Sequence, residues 1–304
     1  MDIKNVMVPT DFSPPSRMAL DYGVALARIL RARLTLLHVL EPPLVLEVAT
    51  PAEISKIELE HRESALQELG NLLSPEDEDD LNLQTVLKSG NVRKEIAAAV
   101  HEYHADIVVM GAHGRGRIGR MILGSTTEGL LRKLEIPVMT VCHTASPRSF
   151  KRILFATDLS ESSRPVFAFA LDMARNLQAE ILAMHALGGP VLASGELGMP
   201  VEWKLAADEA QRRLEELVSE GKSEAVVVQT LLVDGSAAPQ ILKAAQENSA
   251  DLILLSVDNK GIIERALLGT TAERITREAT VPVLSIPVSG KIERAATGRS
   301  HRIA

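Results

Sequence analysis

Four short motifs occur twice in this chain, in the same order and about 145 residues apart. The first is NVMVPTDFS at residues 5–13, which returns as RILFATDLS at residues 152–160. The others are ADIVVM and ADLILL (105–110 and 250–255), LGSTTE and LGTTAE (123–128 and 268–273), and IPV and VPV (136–138 and 281–283). The repeat predicts a tandem duplication, with a first domain over residues 1–144, a second over residues 150–288 and a flexible tail over residues 289–304.

Within each copy, short apolar runs alternate with segments whose apolar residues recur at helical spacing. The runs lie at residues 6–8, 34–39, 81–87, 107–110 and 138–141 of the first copy, and at residues 181–184, 226–232, 252–255 and 283–286 of the second. Strands that are apolar on both faces and separated by helices are typical of a parallel sheet covered on both sides. We therefore predict an α/β protein made of two doubly wound, Rossmann-like domains.

The composition excludes several classes of function. Hydrophobic residues make up 46% of the 304 residues, yet no apolar run approaches the roughly 20 residues that cross a bilayer. A net charge of −7 argues against general binding to nucleic acid or to acidic membranes. Cys142 is the single cysteine, so an intrachain disulfide is excluded and a reducing compartment fits. Because the N-terminus also lacks a signal-peptide pattern, we expect a cytoplasmic protein.

The stretch from Val108 to Glu128, VVMGAHGRGRIGRMILGSTTE, joins a strand, a glycine-rich loop and a helix start. Glycine lets a ligand approach the backbone closely, and the N–H groups that begin a helix attract anions. Ser125 is predicted as the helix N-cap, with Glu128 three residues later as its partner in a capping box. The stretch therefore predicts a site that holds phosphate groups.

In a doubly wound sheet, ligands bind beyond the carboxyl ends of the strands, where the winding reverses. That crevice would lie between the loop containing Asp11 and the glycine-rich loop after Met110. A carboxylate repels phosphates, so we expect Asp11 to meet hydroxyl or amino donors of a nucleotide whose phosphates lie at residues 114–126. Residues 114–119 formally match the dinucleotide fingerprint G-x-G-x-x-G, but they follow the fourth strand and lack the later acid that the fingerprint requires.

Gly111, Gly114, Gly124 and Ser125 stand at the spacing G-x2-G-x9-G-S, and with them the chain resembles the universal stress protein family. The VPTDFS opening, LLHVLEPP at residues 36–43 and the IPVMTV closing strand carry the same resemblance across both copies. It implies an adenine nucleotide alpha hydrolase-like fold with five strands in the order 3-2-1-4-5 in each domain. It also implies an ATP site, with Mg²⁺ as a potential companion of the phosphates, formed by Thr10, Asp11, Val39, Met110, Gly111, His113, Gly114, Arg115, Gly124, Ser125 and Thr126.

The second copy lacks much of this pattern. When the copies are aligned on Gly124 and Gly269, Gly111 becomes Ser256, Gly114 becomes Asn259 and His113 becomes Asp258. Asp258 would bring negative charge toward phosphates, whereas Thr270 and Glu273 keep the predicted helix cap and its box. We therefore expect one competent nucleotide site, in the first domain.

Three functions stay open on these observations. The leading hypothesis is an ATP-binding regulatory protein of the stress response with little or slow hydrolysis, because no general base or acid pair faces the predicted phosphate site. The alternatives are a weak ATPase or phosphotransferase that uses a metal and His113, and an interaction module that binds no nucleotide. Ser125 and Thr126 could be helix caps only, Asp11 could cap the first helix, and His38 is expected as a buried core histidine. No histidine stands at metal-ligand spacing, so we expect no structural metal.

The resemblance also implies pairing through the last strand of a domain. Residues 138–141 and 283–286 would then cover each other's edges in an intrachain pseudo-dimer, and a homodimer of the whole chain stays open as a second arrangement. The expected partners are an adenine nucleotide and an unidentified protein, with no nucleic acid and no membrane.

Overall fold

The computed structural model describes residues 3–42, 50–74, 81–112, 123–142, 150–188, 201–221, 225–257 and 270–288. The chain divides into two compact units, Asp2–Pro147 and Arg148–Ala304. Each unit contains parallel strands separated by helices, so the predicted α/β class is confirmed. No helix within these described ranges is long and apolar enough to cross a membrane.

In the described part of the first unit, five parallel strands follow the order β3-β2-β1-β4-β5. The strands are β1 (Asn5–Thr10), β2 (Arg33–Leu40), β3 (Leu83–Ser89), β4 (Ile107–Gly111) and β5 (Val138–Val141). The helices are α1 (Pro14–Leu30), α2 (Pro51–Gly70), α3 (Val92–Glu102) and α4 (Ser125–Lys133). Because β4 returns beside β1, the winding reverses between these two strands, as the predicted order 3-2-1-4-5 requires.

The second unit repeats this topology as β8-β7-β6-β9-β10. Its strands are β6 (Arg152–Ala156), β7 (Glu180–Leu187), β8 (Val228–Asp234), β9 (Leu252–Val257) and β10 (Val283–Pro287). Its helices are α5 (Ser163–Leu177), α6 (Val201–Glu220), α7 (Ala237–Glu247) and α8 (Thr270–Glu278). The tandem repeat in the sequence thus corresponds to two units with the same order of elements.

The central strand and the first helix of the first unit show why these residues form these elements. All six residues of β1 are buried, as expected of a strand covered by helices on both faces. α1 begins with Ser13 as its N-cap and prolines in its first turn, where the missing N–H costs no helical hydrogen bond. The helix ends at Leu30, and its C-cap residue Arg31 adopts the left-handed conformation. Gly23 lets α1 lie close to β1, because a Cβ there would clash with Val8 Cγ2.

The same carboxylate contact fastens the start of the first strand in both units. Asp106 Oδ2 accepts the N–H groups of Lys4 at 2.7 Å and Asn5 at 2.9 Å. Asp251 Oδ2 accepts the corresponding N–H groups, of residues 151 and 152, also at 2.7 and 2.9 Å. These bonds join β1 to β4 and β6 to β9, so they stabilise the strand pair at which the winding reverses.

Candidate functional site

A cavity of about 690 Å³ lies at the carboxyl ends of β1, β2 and β4 in the first unit. This volume falls within the range of roughly 300–1,000 Å³ that is typical of ligand sites. Its walls come from the loop after β1, the end of β2, one side of α2, the start of α3 and the start of α4. The cavity therefore sits where a doubly wound sheet binds its ligands.

The cavity brings together every predicted site residue that lies in the described part of the chain. These residues are Thr10, Asp11, Val39, Met110, Gly111, Gly124, Ser125 and Thr126. His113, Gly114 and Arg115 lie outside the described residues. The sequence thus predicted a set of residues that shares one cavity, and their contact with a nucleotide stays a prediction.

Side chains of the loop after β1 hold that loop in a defined shape. Thr10 Oγ1 accepts the N–H of Phe12 at 3.0 Å and lies 3.1 Å from the hydroxyl of Ser16. Asp11 Oδ1 accepts both the N–H of Ser13 at 3.1 Å and its hydroxyl at 2.5 Å. Phe12 adopts a left-handed φ of +63°, which non-glycine residues retain mostly where surrounding contacts enforce it. Asp11 therefore does not cap α1 itself, but positions Ser13, which does.

His38 lines the cavity as part of the framework. Its side chain is buried, and its ring centroid lies 4.3 Å from that of Phe12. Its Nδ1 lies 2.7 Å from the carbonyl oxygen of Thr10. A carbonyl oxygen can only accept, so Nδ1 carries a proton and donates it. The prediction of a buried, satisfied histidine is confirmed.

α4 begins at the cavity, but not in the predicted way. Its first residue is Ser125, and its N-cap is Gly124, which makes no side-chain capping bond. The predicted capping box is therefore wrong, because Ser125 lies inside the helix and Glu128 pairs with Arg132 one turn later. In the second unit, α8 begins at Thr270, so Thr270 is likewise a helical residue and the box predicted for it with Glu273 is wrong as well.

Tertiary hydrogen bonds place the start of α4 instead of a local box. The Thr127 hydroxyl donates to the Gly111 carbonyl at 2.9 Å, and the Gly124 N–H donates to the Ala112 carbonyl at 2.8 Å. Both acceptors belong to the end of β4 or the residue that follows it. The first N–H groups of a helix have no acceptor within the helix, and the positive end of the helix dipole lies at the same end. Because α4 starts at the cavity wall, its positive end lies at the cavity.

Gly111 has a packing role that the sequence analysis did not foresee. A Cβ at this position would lie 3.0 Å from the carbonyl carbon and oxygen of Pro15 and 3.1 Å from its Cβ. The absence of a side chain at residue 111 therefore lets the end of β4 pack closely against the first turn of α1. Ligand approach is not needed to explain this glycine.

The wall formed by α2 was missed from the sequence. His61, Ser64, Ala65 and Glu68 line the cavity at the spacing i, i+3, i+4, i+7, which is one face of a helix. The burial of Ala65 and Leu69 marks the side of α2 that packs on the sheet. Apolar spacing alone could have located that side, and its polar neighbours would then have become candidates.

The lining gives the cavity a polar axis. Carboxylates of Asp11, Glu41 and Glu68 come from the loop after β1, the end of β2 and α2, while the N-terminus of α4 contributes a positive potential. Apolar side chains from β2, α2 and α3 line the same cavity: Leu37, Val39, Leu40, Ala65, Val92 and Ile96. The arrangement suits a ligand with a flat apolar part, hydrogen-bond donors and an anionic group.

The loop after β6 in the second unit repeats the loop after β1. The Leu159 N–H donates to Thr157 Oγ1 at 3.0 Å, and Leu159 has a left-handed φ of +60°. Asp158 Oδ1 accepts the Ser160 N–H at 2.9 Å and the Ser163 hydroxyl at 3.1 Å. Partial burial raises the pKa of Asp158, but the hydrogen bonds from Ser160 and Ser163 outweigh it and hold this pKa below its ordinary value.

Two further points bear on the chemistry of the molecule. Within the described stretches of both units, no three His, Cys, Asp or Glu side chains are grouped so that they could hold a metal ion. Cys142 is buried, and burial raises the pKa of its thiol to about 11, which leaves little of the reactive thiolate at neutral pH.

Comparison with known proteins places this arrangement in a family. The model of the universal stress protein family matches residues 2–141 and again residues 149–287. A universal stress protein of Methanocaldococcus jannaschii is 30% identical over 143 residues, which cover 45% of this chain and 82% of that protein. One from Mycobacterium tuberculosis H37Rv is 24% identical over 295 residues, covering 92% of this chain and 95% of the relative.

A solved structure shows the same fold over the whole length. The crystal structure of a universal stress protein from Archaeoglobus fulgidus matches with a TM-score of 0.72 at 21% identity, covering 95% of this chain and 100% of that one. Two matches to the family model account for most of the chain, in the same tandem order as the two units. The chain therefore belongs to the universal stress protein family, as a member with two such domains.

Proposed function

We propose that the first unit binds an adenine nucleotide, with ATP as its ligand, and that the chain acts as a nucleotide-responsive regulatory protein. One observation carries the proposal: the eight described residues predicted as nucleotide contacts line a single cavity of about 690 Å³. These residues come from separate segments of the sequence, and the strand order β2-β1-β4 brings those segments to one cavity.

The lining supports a particular orientation of the nucleotide. The phosphates would lie at Gly124, Ser125 and Thr126, where the N-terminus of α4 and its helix dipole attract anions. Ribose hydroxyls and base amines would face the acidic side formed by Asp11 and Glu68. Mg²⁺ bound to the triphosphate would reduce the charge that the site must hold.

We propose that hydrolysis is slow. Asp11 directly follows β1, the strand beside β4. Its Oδ1 accepts two hydrogen bonds from Ser13, so this oxygen holds the loop in shape. A weak ATPase or phosphotransferase activity remains the alternative use of this site. Phosphate release measured with ATP and Mg²⁺ separates the two, because turnover above about 1 s⁻¹ lies in the ordinary enzymatic range.

Calorimetric titration of the purified full-length chain with ATP tests the binding proposal. We expect one ATP per chain, and mass spectrometry of freshly purified, denatured protein should detect any adenine nucleotide carried through purification. If neither measurement detects a nucleotide, the interaction module without nucleotide becomes the better account. Two equivalent ATP molecules per chain would contradict the prediction of a single competent site.

A further inference from the structure

The helix that covers the cavity has a counterpart in the second unit whose charge is reversed at one position. Ala65 and Leu69 are the buried residues of α2 near the cavity, and Ala210 and Leu214 are buried with the same spacing on α6. Aligned on these pairs, the two helices match at an offset of 145 residues, and Glu68 corresponds to Arg213. Glu68 lines the cavity of the first unit.

Arg213 joins α6 to the loop after β6. Its Nη2 donates to the carbonyl oxygen of Leu159 at 2.5 Å. Leu159 corresponds to Phe12 of the cavity, since both follow Thr-Asp, have nearly the same left-handed φ and donate to the threonine hydroxyl at 3.0 Å. The bond therefore joins α6 to the loop whose counterpart in the first unit lines the cavity together with α2.

An ion pair also ties α6 into its own unit. Arg164 of α5 pairs with Glu220 of α6 at 2.9 Å. The arginine at the matching position in the first unit, Arg17, donates to the Phe12 carbonyl at 3.4 Å, a contact within its own loop and helix. Among the described residues of the second unit, side chains of α6 contact both α5 and the loop before it, whereas in the first unit Arg17 contacts the loop before its own helix.

We propose that the residue at this position controls access to the crevice in each unit. Arg213 fastens α6 to the loop after β6 and keeps the second crevice closed to a nucleotide, while Glu68 leaves the first crevice open between α2 and the loop after β1. The proposal rests on the nucleotide-binding function proposed above and adds the reason for its restriction to the first unit. It is independent of the missing glycines, because it concerns the helices α2 and α6 and not the segments that follow β4 and β9.

Placing the arginine in the first unit, as Glu68→Arg, tests the proposal by whether ATP binds more tightly or more weakly. If position 68 acted only through charge, Glu68→Arg would strengthen the binding of polyanionic ATP. If an arginine there fastens α2 to the Phe12 carbonyl and leaves the cavity open about one tenth of the time, the apparent Kd for ATP rises about tenfold. Gln67→Arg is the matched control, since Gln67 is exposed on α2 and does not line the cavity.

Removing the arginine from the second unit tests the contact itself. Arg213→Ala should speed amide hydrogen exchange severalfold at residues 159–163, because the loop loses its tie to α6. Arg212→Ala is the control, because Arg212 pairs with Glu209 and Glu216 of its own helix. Exchange at residues 159–163 should be unchanged in that variant.

The outcomes separate this proposal from the function on which it rests. Unchanged or tighter ATP binding by Glu68→Arg overturns it, and so does unchanged exchange in Arg213→Ala. Weaker binding by Glu68→Arg but not by Gln67→Arg, together with faster exchange in Arg213→Ala, supports it. If the wild-type chain binds no ATP, the proposed function fails, and the exchange experiment still decides whether Arg213 holds the loop.

Discussion

A proline placed at the first residue of α4 would remove a predicted phosphate contact while leaving the helix intact. Proline suits this position because its fixed φ matches a helix start and the N–H it removes has no partner within the helix. The preceding residue must be extended, and Gly124 already has φ −64° and ψ 137°. Ser125 is exposed, so the ring has space.

The magnitude follows from the one hydrogen bond that Ser125→Pro deletes. A hydrogen bond to a charged group contributes about 2 kcal/mol, so losing the N–H to a phosphate oxygen should raise the Kd for ATP about thirtyfold. Proline also reduces the entropy of the unfolded chain, which adds about 0.4–1 kcal/mol to the free energy of unfolding where the native backbone accepts it. The variant should therefore bind ATP more weakly and be at least as stable.

Titration calorimetry with ATP, alongside urea unfolding of the same preparations, measures both quantities. Ser125→Ala removes the hydroxyl but keeps the N–H, so it separates the side-chain contact from the backbone contact. Thr270→Pro makes the corresponding change at the start of α8 in the second unit and should leave ATP affinity unaltered. A stable Ser125→Pro protein that binds ATP as tightly as the wild type would refute the placement of the phosphates at this helix.

Three further predictions concern stability, reactivity and pH. Gly111→Ala should lower the free energy of unfolding in urea by about 1–3 kcal/mol, because the new Cβ meets the Pro15 backbone at 3.0 Å, whereas Gly70→Ala, with nothing within 4 Å, should not; equal effects would contradict the packing argument. With its pKa raised to about 11, Cys142 has about a thousandth of its thiol ionised at pH 8, so a disulfide reagent should label the native protein at least about a hundredfold more slowly than the unfolded one; fast native labelling would show that the thiol is accessible. Asp158 has a lowered pKa in the folded state, so its carboxylate stabilises the fold above the ordinary pKa of 3.8 and loses this contribution as pH falls through the lowered value. The difference in melting temperature between wild type and Asp158→Asn should therefore be largest near neutral pH and shrink in acid. A constant difference would point to a cause other than ionisation.

The candidate site was predictable where a local pattern carries its own chemistry. Glycine spacing and the Thr10–Asp11 pair both occur within short segments, and their positions after β4 and β1 follow from the order of the strands. The capping box failed because Gly124 and Thr127 find their partners at Ala112 and Gly111, on another element. A capping box and tertiary hydrogen bonds are alternative ways to fix the start of a helix. The sequence pattern reveals the capping box, but not the tertiary bonds.

Hydrophobic periodicity and the internal repeat were sufficient to specify two parallel α/β units, because burial on both faces of a strand leaves a continuous apolar run in the chain. Which side of α2 faces the cavity, why Gly111 has no side chain and how Arg213 reaches Leu159 depend instead on contacts between segments far apart along the chain. Such contacts form only when the strands have paired and the helices have packed on them. Their geometry is therefore a property of the folded molecule and leaves no periodic pattern in the order of the residues.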